Sequence, residues 1–185
     1  MEGIMEFLGI SHAAVGCSNY EEAMKFYRDI LGLKEKCTLY NGDDGSIMLT
    51  YLEIEPGSYI ELFTAPKGKS YTYRNDQTFI HICLLVDDIE EAGRYFQSKG
   101  LKLYFGPKKG AGENVFPEPF VKTIMKAGEY CFYLDGPDGL PVEVMQYREP
   151  TTLMTMSDSQ LGSLDNLLKS NLYSVLIDMP KEYRW

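Results

Sequence analysis

The sequence has little of what membrane-spanning, secreted and nucleic-acid-binding proteins need. Its uninterrupted apolar runs are no longer than Ile82–Val86, whereas a helix that crosses a bilayer needs about 20 apolar residues. The N-terminal segment carries no basic stretch of the kind that opens a secretory signal. Acidic residues outnumber basic ones by 27 to 18, and the net charge of −9 would repel a phosphate backbone. These absences predict a cytoplasmic protein that binds neither membrane nor nucleic acid.

Cysteine is also scarce. The four cysteines, Cys17, Cys37, Cys83 and Cys131, are widely spaced and include no CxxC pair. Such spacing favours free thiols in a reducing compartment over a disulfide framework. The rest of the composition is that of a folded globule, with 44% hydrophobic and 24% charged residues in a chain of 185. That length predicts one domain, or two short modules that share a core.

The chain does contain an internal repeat. Residues 10–32 align without a gap on residues 79–101, at a constant offset of 69. The alignment places His12 on His81 and matches a Glu-Glu-Ala triplet and an aromatic pair in the two copies. Each copy opens with a β-rich run that holds the histidine and continues with apolar residues at the spacing of an amphipathic helix. Each copy therefore predicts a strand followed by a helix.

The two predicted helices carry typical end residues. Ser18 and Asp87 stand at the N-terminal ends, each followed three residues on by a glutamate, as in a capping box. Gly32 and Gly100 stand at the C-terminal ends, where glycine is favoured. The repeat thus extends to the boundaries of the helices.

Further strands are predicted after each helix, because the turn sequences NGDDG, EPG and DGPDG separate extended runs. The predicted strands are residues 35–40, 46–54 and 58–63 in the first copy and 102–105, 130–134 and 140–147 in the second. These elements predict an α+β fold of two tandem βαβββ modules. The domain covers residues 1–149, with a first module over 8–66, a linker over 67–78 and a second module over 79–148.

Two segments lie outside the repeat. Residues 106–128 enlarge the second copy and mix glycine, proline, lysine and aromatic residues. A long loop in a compact domain is usually functional, and its aromatics favour a lid. Residues 150–185 place several leucines on one helical face. They predict a helical extension that docks on the core or on a second subunit.

The only two histidines of the chain occupy equivalent positions at the head of the two copies. Each last strand also carries one glutamate within an apolar run, Glu61 in YIELF and Glu143 in PVEVM. Taken singly, a histidine on a strand is commonly a hydrogen-bonded core residue, and a glutamate on a strand commonly faces solvent. Lone carboxylates are rarely buried without a partner, however.

Taken together, these four residues fit one metal site. If the first and last strands of each copy are neighbours, each copy presents one imidazole beside one carboxylate. Pseudo-twofold packing of the copies would then bring two of each together. Such nitrogen and oxygen ligands, with positions left for water, suit Zn²⁺, Ni²⁺, Co²⁺, Fe²⁺ or Mn²⁺ without a thiolate. We therefore predict a divalent metal site formed by His12, Glu61, His81 and Glu143.

The repeat, the motifs GISHAAV and FIHICLLV and the closing DGPDGLPVEVMQ resemble the vicinal oxygen chelate superfamily over residues 8–148. The ordered set His, Glu, His, Glu is similar to the ligand set of bacterial-type glyoxalase I (lactoylglutathione lyase). The resemblance implies an open, incomplete β-barrel around a metal, with Zn, Ni or Co ahead of Mn or Fe. It also implies a metal-bound enediolate, with Glu143 as the catalytic base and Glu61 holding the metal or serving the opposite face.

The resemblance has one departure and leaves other branches open. The glutathione-using enzymes have an arginine four residues after the first histidine and an asparagine four after the first glutamate, whereas Gly16 and Ala65 stand here. Glutathione is therefore not supported as cosubstrate. Extradiol dioxygenases and fosfomycin-resistance proteins use two histidines and one glutamate, so Glu61 argues against them. Methylmalonyl-CoA epimerase has glutamine at that position and remains an alternative.

A metal-free drug-binding protein of the bleomycin-resistance type is the alternative from another class. Its ligand would bind in an aromatic cleft. The candidate lining residues are Tyr51, Tyr104, Phe105, Phe116, Phe120, Tyr130 and Phe132. In either case the expected partner is a small molecule, and analogy with two-module chains predicts a homodimer.

Overall fold

The computed structural model describes residues 9–74, 78–106, 115–124 and 129–147. These residues form two compact units. Unit 1 comprises the described residues up to Thr78 together with 136–140, and unit 2 comprises those of 79–135 and 141–147. The predicted extension over 150–185, with its leucine stripe, lies outside the described residues.

Unit 1 contains a four-stranded sheet. In chain order its elements are β1 (His12–Cys17), α1 (Tyr20–Met24) with a π-helical continuation (Lys25–Ile30), β2 (Lys34–Tyr40), β3 (Ile47–Glu55) and β4 (Ser58–Thr64). The strand order is β1-β4-β3-β2, with β1 parallel to β4 and the other neighbours antiparallel. The first and last strands of the first module are therefore neighbours. The predicted metal site requires this arrangement, because it places the histidine beside the glutamate.

Alternation along β1 separates an apolar face of the unit 1 sheet from an open one. Val15 and Cys17 are buried, whereas His12, Ala14 and Gly16 are exposed. Successive strand residues point to opposite sides, so the histidine lies on the side away from the core. Buried residues on the elements that follow complete the core, among them Ala23, Met24, Leu52, Ile60 and Leu62.

The two helices begin one residue later than the sequence predicts. Asn19 caps α1 by accepting a hydrogen bond from the Glu22 amide, and Asp88 caps the helix of unit 2. The expectation of Ser18 as the cap is wrong because the Ser18 hydroxyl is bonded to the backbone of Tyr71 instead. The predicted glycines after the two helices both have a φ of +79°, the left-handed conformation that ends helices.

Unit 2 contains a three-stranded sheet and one longer helix. Its elements are β5 (Ile82–Leu85), α2 (Ile89–Ser98), β6 (Tyr130–Asp135) and β7 (Pro141–Gln146). The strand order is β5-β7-β6, with β5 parallel to β7 and β6 antiparallel to it. The strand predicted over 102–105 is reduced to isolated bridges of Tyr104 to Val115 and Tyr133. The first and last strands of the module are again neighbours.

The described part of the inserted segment belongs to the core of unit 2. Phe116 and Phe120 are buried, and the Phe120 ring packs against Phe132 at a centroid distance of 5.2 Å. The Gln97 side chain of α2 fixes the segment by bonding to the Pro117 carbonyl and the Phe120 amide, each at 2.8 Å. These two phenylalanines are therefore packing residues on the helix side of the sheet, and the lid expected from the aromatics of this segment does not include them.

The predicted α+β class is confirmed, with two separate open sheets and one main helix in each unit. All four cysteines are free thiols, also as predicted. Among the described residues, no helix has the length and apolar character needed to cross a bilayer.

Candidate metal centre

In unit 1 the structure brings His12 and Glu61 together. Glu61 lies on β4 directly opposite Ala14 of β1, and His12 precedes Ala14 by two residues. Both side chains therefore point to the same face of the sheet. The Nε2 atom of His12 lies 3.3 Å from Oε2 of Glu61. Glu61 is only 8% exposed. It therefore does not face solvent, as a single glutamate on a strand commonly does.

Unit 2 repeats this arrangement. Glu143 lies on β7 directly opposite Cys83 of β5, and His81 precedes Cys83 by two residues. The Nε2 atom of His81 lies 3.0 Å from Oε2 of Glu143, which is also 8% exposed. The same two atoms thus meet through the same strand register in both units. We call the face of each sheet that carries its histidine and glutamate the ligand face.

The donor chemistry of the two pairs fits a divalent ion. Such ions hold nitrogen and oxygen ligands at about 2.0–2.2 Å, so that adjacent ligands lie about 2.8–3.6 Å apart in tetrahedral or octahedral geometry. The distances of 3.0 and 3.3 Å both fall in that range. The geometry within each pair thus permits its histidine and glutamate to ligate the same ion.

The two pairs belong to different units, and their convergence on one ion stays a prediction. Within neither unit do the described residues place three or more His, Cys, Asp or Glu side chains so that they could hold a metal ion together. Each unit supplies one imidazole and one carboxylate, which is half of the predicted ligand set.

Tyrosine accompanies each carboxylate. Tyr133 lies opposite Glu143 in the β6–β7 pair, and its hydroxyl donates a hydrogen bond of 2.7 Å to Oε1 of Glu143. Tyr51 lies opposite Glu61 in the β3–β4 pair, where a hydrogen bond with Glu61 raises the pKa of the Tyr51 hydroxyl. Residues directly opposite each other share a face, so each ligand face carries a His, Glu and Tyr.

Several donors surround the Glu143 carboxylate. Burial alone would raise the pKa of Glu143, but hydrogen bonds from His81, Tyr133, Cys131 and Cys83 outweigh burial and lower it to about 2. The pKa values of the Cys83 and Cys131 thiols and of the Tyr133 hydroxyl are raised instead. Burial is the larger cause, and the negative charge of Glu143 is the next. Glu143 is therefore a carboxylate among protonated donors.

The His81 ring is held by packing rather than by a second hydrogen bond. Its Nδ1 atom is buried and has no hydrogen-bond partner among the residues that the structure describes. The ring instead meets the Tyr133 ring edge to face, at a centroid distance of 5.5 Å and an interplanar angle of 86°. Tyr133 thus contacts both members of the unit 2 pair.

A second acidic residue, Glu129, is buried in unit 2. It directly precedes β6 and is 9% exposed, and within the described part of the chain its Oε2 atom has no hydrogen-bond partner. Burial, together with the charge of Glu143, raises the pKa of Glu129, which a bond to its own backbone only partly offsets. No motif or repeat position in the sequence distinguishes this residue.

The two tyrosines are also a repeat-related pair, but they lie outside the aligned residues 10–32 and 79–101. Tyr51 precedes Glu61 by ten residues, as Tyr133 precedes Glu143. The inserted segment changes the offset between the copies after the helix, so an alignment of the first strands alone does not reveal this match. The candidate aromatic cleft is not brought together as predicted, since Phe116, Phe120 and Phe132 are core residues.

Comparisons with known proteins match the part of the chain that contains both units. The model of the Glyoxalase/Bleomycin resistance protein/Dioxygenase superfamily matches residues 9–144. The uncharacterized protein YwbC of Bacillus subtilis is 28% identical over 137 residues, which are 74% of this chain and 96% of YwbC.

Solved structures share the fold. A glyoxalase family protein from Enterococcus faecalis superposes with a TM-score of 0.53 at 20% identity, over 76% of this chain and 99% of that one. A lactoylglutathione lyase from Agrobacterium tumefaciens superposes with a TM-score of 0.52 at 21% identity, over 77% of this chain and 96% of that one. At these identities the likeness concerns the fold.

Proposed function

We infer the function of this chain from one premise, namely that it belongs to the Glyoxalase/Bleomycin resistance protein/Dioxygenase superfamily. On that premise we propose a glyoxalase-like lyase or isomerase that depends on a divalent metal and acts on a small oxygenated substrate. Zn²⁺, Ni²⁺ and Co²⁺ are the first candidates for the ion, ahead of Mn²⁺ and Fe²⁺. The proposal includes a homodimer as the assembled form.

The observation that carries this proposal is the repeated pair of an imidazole Nε2 and a carboxylate Oε2 at 3.3 and 3.0 Å. His12, Glu61, His81 and Glu143 would hold the ion. When bound, a divalent ion supplies Lewis-acid stabilisation of negative charge on a substrate oxygen. Vicinal oxygens of the substrate would occupy the coordination positions that the protein leaves free.

The residues around Glu143 keep its carboxylate ionised and oriented, and an ionised carboxylate can accept a proton. Its Oε1 atom accepts the Tyr133 hydroxyl, so the carboxylate is held while Oε2 faces His81. We assign the Glu143 carboxylate as the group that accepts a proton from the substrate carbon and returns it to a neighbouring atom. Glu61 would keep the metal in place or serve the opposite face.

Metal content and proton transfer test the proposal separately. After loading and desalting, the wild type should retain about one divalent ion per chain, and His81→Ala or His12→Ala should lose it. Glu143→Gln should keep most of the ion, because an amide oxygen still ligates, but should lose proton transfer. Glu55→Gln, on the exposed end of β3, is the matched control and should behave as the wild type.

The measurements are plasma mass spectrometry for metal and deuterium incorporation for proton transfer. The substrate for the second is the hemithioacetal of methylglyoxal and 2-mercaptoethanol in D₂O. A protein that retains no ion after loading, together with a Glu143→Gln variant as active as the wild type, would contradict the mechanism. Tight binding of an aromatic cation by metal-free protein, unaffected by a chelator, would favour the drug-binding alternative.

A further inference from the structure

The ligand face of unit 2 continues past Glu143 as a row of apolar side chains. Met145 follows Glu143 by two residues on β7 and therefore lies on the same face. Leu85 of β5 and Cys131 of β6 lie directly opposite Met145, one on each side. We call these three residues the apolar row. Leu85 is 57% exposed, so an apolar chain that begins at Glu143 has an accessible surface along which to lie.

Glu129 lies at the far side of the apolar row. It precedes Cys131 by two residues and Tyr133 by four, so strand alternation places all three on the ligand face. Tyr133 lies opposite Glu143, and four residues of strand span about 13 Å. Burial is the main cause that raises the pKa of Glu129, and the charge of Glu143 raises it further. The apolar row thus separates two carboxylates on one face.

The Glu129 carboxylate is buried without a partner in the portions of the chain that the structure describes. Only 9% of the residue is exposed, and its Oε2 atom accepts no hydrogen bond there. A buried carboxylate normally has a donor or a counter-ion, because burying an unpaired charge is costly. A glutamate side chain turns about three bonds, so this carboxylate can reach a donor placed on the ligand face. The missing partner can therefore be a group of a ligand.

The charge of this face favours a cation as that partner. The ion pair of Glu143 is with His81, and no described lysine or arginine pairs with Glu143 or Glu129. A hydroxyl group would satisfy Oε2 of Glu129 but leave its charge uncompensated. An ammonium group supplies both N–H donors and the opposite charge, and hydrogen bonds between ionised groups are the stronger ones. An anion would be repelled by both carboxylates.

We propose that Glu129 binds an ammonium group of the substrate, and that a short apolar spacer across the apolar row joins this group to the end held at Glu143. This inference rests on the proposed function, because it assumes that the metal ligands hold the other end. The substrate class is then a primary amine whose charge lies several carbon atoms from the reacting end. Glu129 contacts the ammonium group and not the reacting atoms, so it is a specificity-determining residue.

Three hydroxamates of matched chain length test the ammonium site. They are 6-aminohexanohydroxamate, which ends in an ammonium group, hexanohydroxamate, which ends in a methyl group, and adipic monohydroxamate, which ends in a carboxylate. All three chelate a metal through the same end, so they differ only in the group that would meet Glu129. Affinities are measured by isothermal titration calorimetry at pH 7 on the Zn²⁺-loaded full chain. The variants are Glu129→Gln and, as the control on the exposed end of β3, Glu55→Gln.

We expect the wild type to bind the ammonium compound about 10-fold more tightly than the methyl compound, which is the effect of a hydrogen bond to a charged group. The carboxylate compound should bind no more tightly than the methyl compound. Glu129→Gln should lose the preference for ammonium and keep its affinity for the methyl compound. Glu55→Gln removes the same charge from a chain of net charge −9 and should keep the preference. Circular dichroism shows whether each variant is folded.

The possible failures are distinguishable. Equal affinity of the wild type for the ammonium and methyl compounds would overturn the ammonium site and leave metal chelation intact. A preference that persists in folded Glu129→Gln, or that is also lost in Glu55→Gln, would show that Glu129 is not the partner. If the loaded wild type binds none of the three compounds, the proposed function is wrong and the ammonium site is overturned with it.

Discussion

Tyr133 holds one oxygen of Glu143 and leaves the other to His81. The Tyr133 hydroxyl bonds to Oε1 at 2.7 Å, while Oε2 lies 3.0 Å from His81 Nε2. The two carboxylate oxygens therefore have different surroundings, and the difference arises from the strand register of β6, β7 and β5. Tyr51 and Glu61 repeat the register in unit 1.

Replacing Tyr133 by phenylalanine should destabilise the metal-free protein. The variant keeps the ring that packs on His81 but removes one donor to a buried carboxylate. Hydrogen bonds to charged groups contribute about 1.5–3 kcal/mol, so the free energy of unfolding at pH 7 should fall by about that amount. Urea denaturation measures the change, and Tyr40→Phe on exposed β2 should change it by less than about 0.5 kcal/mol. Equal stability of the two variants would show that the bond contributes nothing.

Replacing Glu129 by glutamine should make the stability less dependent on pH. Burial raises the pKa of Glu129 above its ordinary value of 4.5, so the folded state binds more protons than the unfolded state between the two values. Stability contributed by this residue therefore falls as pH rises through that window and stays low above it. Glu129→Gln should gain about 1 kcal/mol at pH 7 relative to the wild type and little at pH 4.

Thermal and urea unfolding at pH 7 and pH 4 measure whether Glu129→Gln raises the free energy of unfolding as expected. Glu55→Gln, an exposed glutamate on β3, is the control and should show no such difference between the two pH values. A Glu129→Gln variant that loses stability at pH 7 would mean that the carboxylate has a stabilising partner in solution.

Alanine at Gly93 should destabilise unit 2 although it is the better helix former. Gly93 lies within α2, and a Cβ there would overlap the Phe120 ring, which is 4% exposed and packed against Phe116 and Phe132. Overpacking costs about 1–3 kcal/mol, which exceeds the gain of at most about 1 kcal/mol in helix propensity. Arg94→Ala, on the exposed side of the same helix, provides the matched control in urea denaturation. If Gly93→Ala instead raised the free energy of unfolding, the Phe120 ring would have to move aside at little cost.

Much of the fold could be predicted because the repeat and the turns are local features. Residues 46–54 and 58–63 were predicted as strands and form Ile47–Glu55 and Ser58–Thr64. The strand over 102–105 was not retained because only Tyr104 pairs, with Val115 of the inserted segment as one partner. Ser18 was mistaken for a cap because its hydroxyl is used by a segment 53 residues away, which no local pattern reveals.

The site was predictable only in its parts. The repeat identified the histidines and glutamates, and parallel pairing of first and last strands joins each pair as expected. The accompanying donors Tyr133, Cys83 and Cys131 depend on which residues face the same side of neighbouring strands. That information comes from the register, and the register becomes visible only in the folded sheet.

The pairing of β1 with β4 and of β5 with β7 also affects biosynthesis. Each histidine is made some fifty or sixty residues before the glutamate beside it, because the partners stand at positions 12 and 61 and at positions 81 and 143. On the ribosome, a growing polypeptide lacks each pair until the last strand of that module has emerged and aligned. Any ion that needs all four side chains can consequently be captured only after codon 143 has been translated.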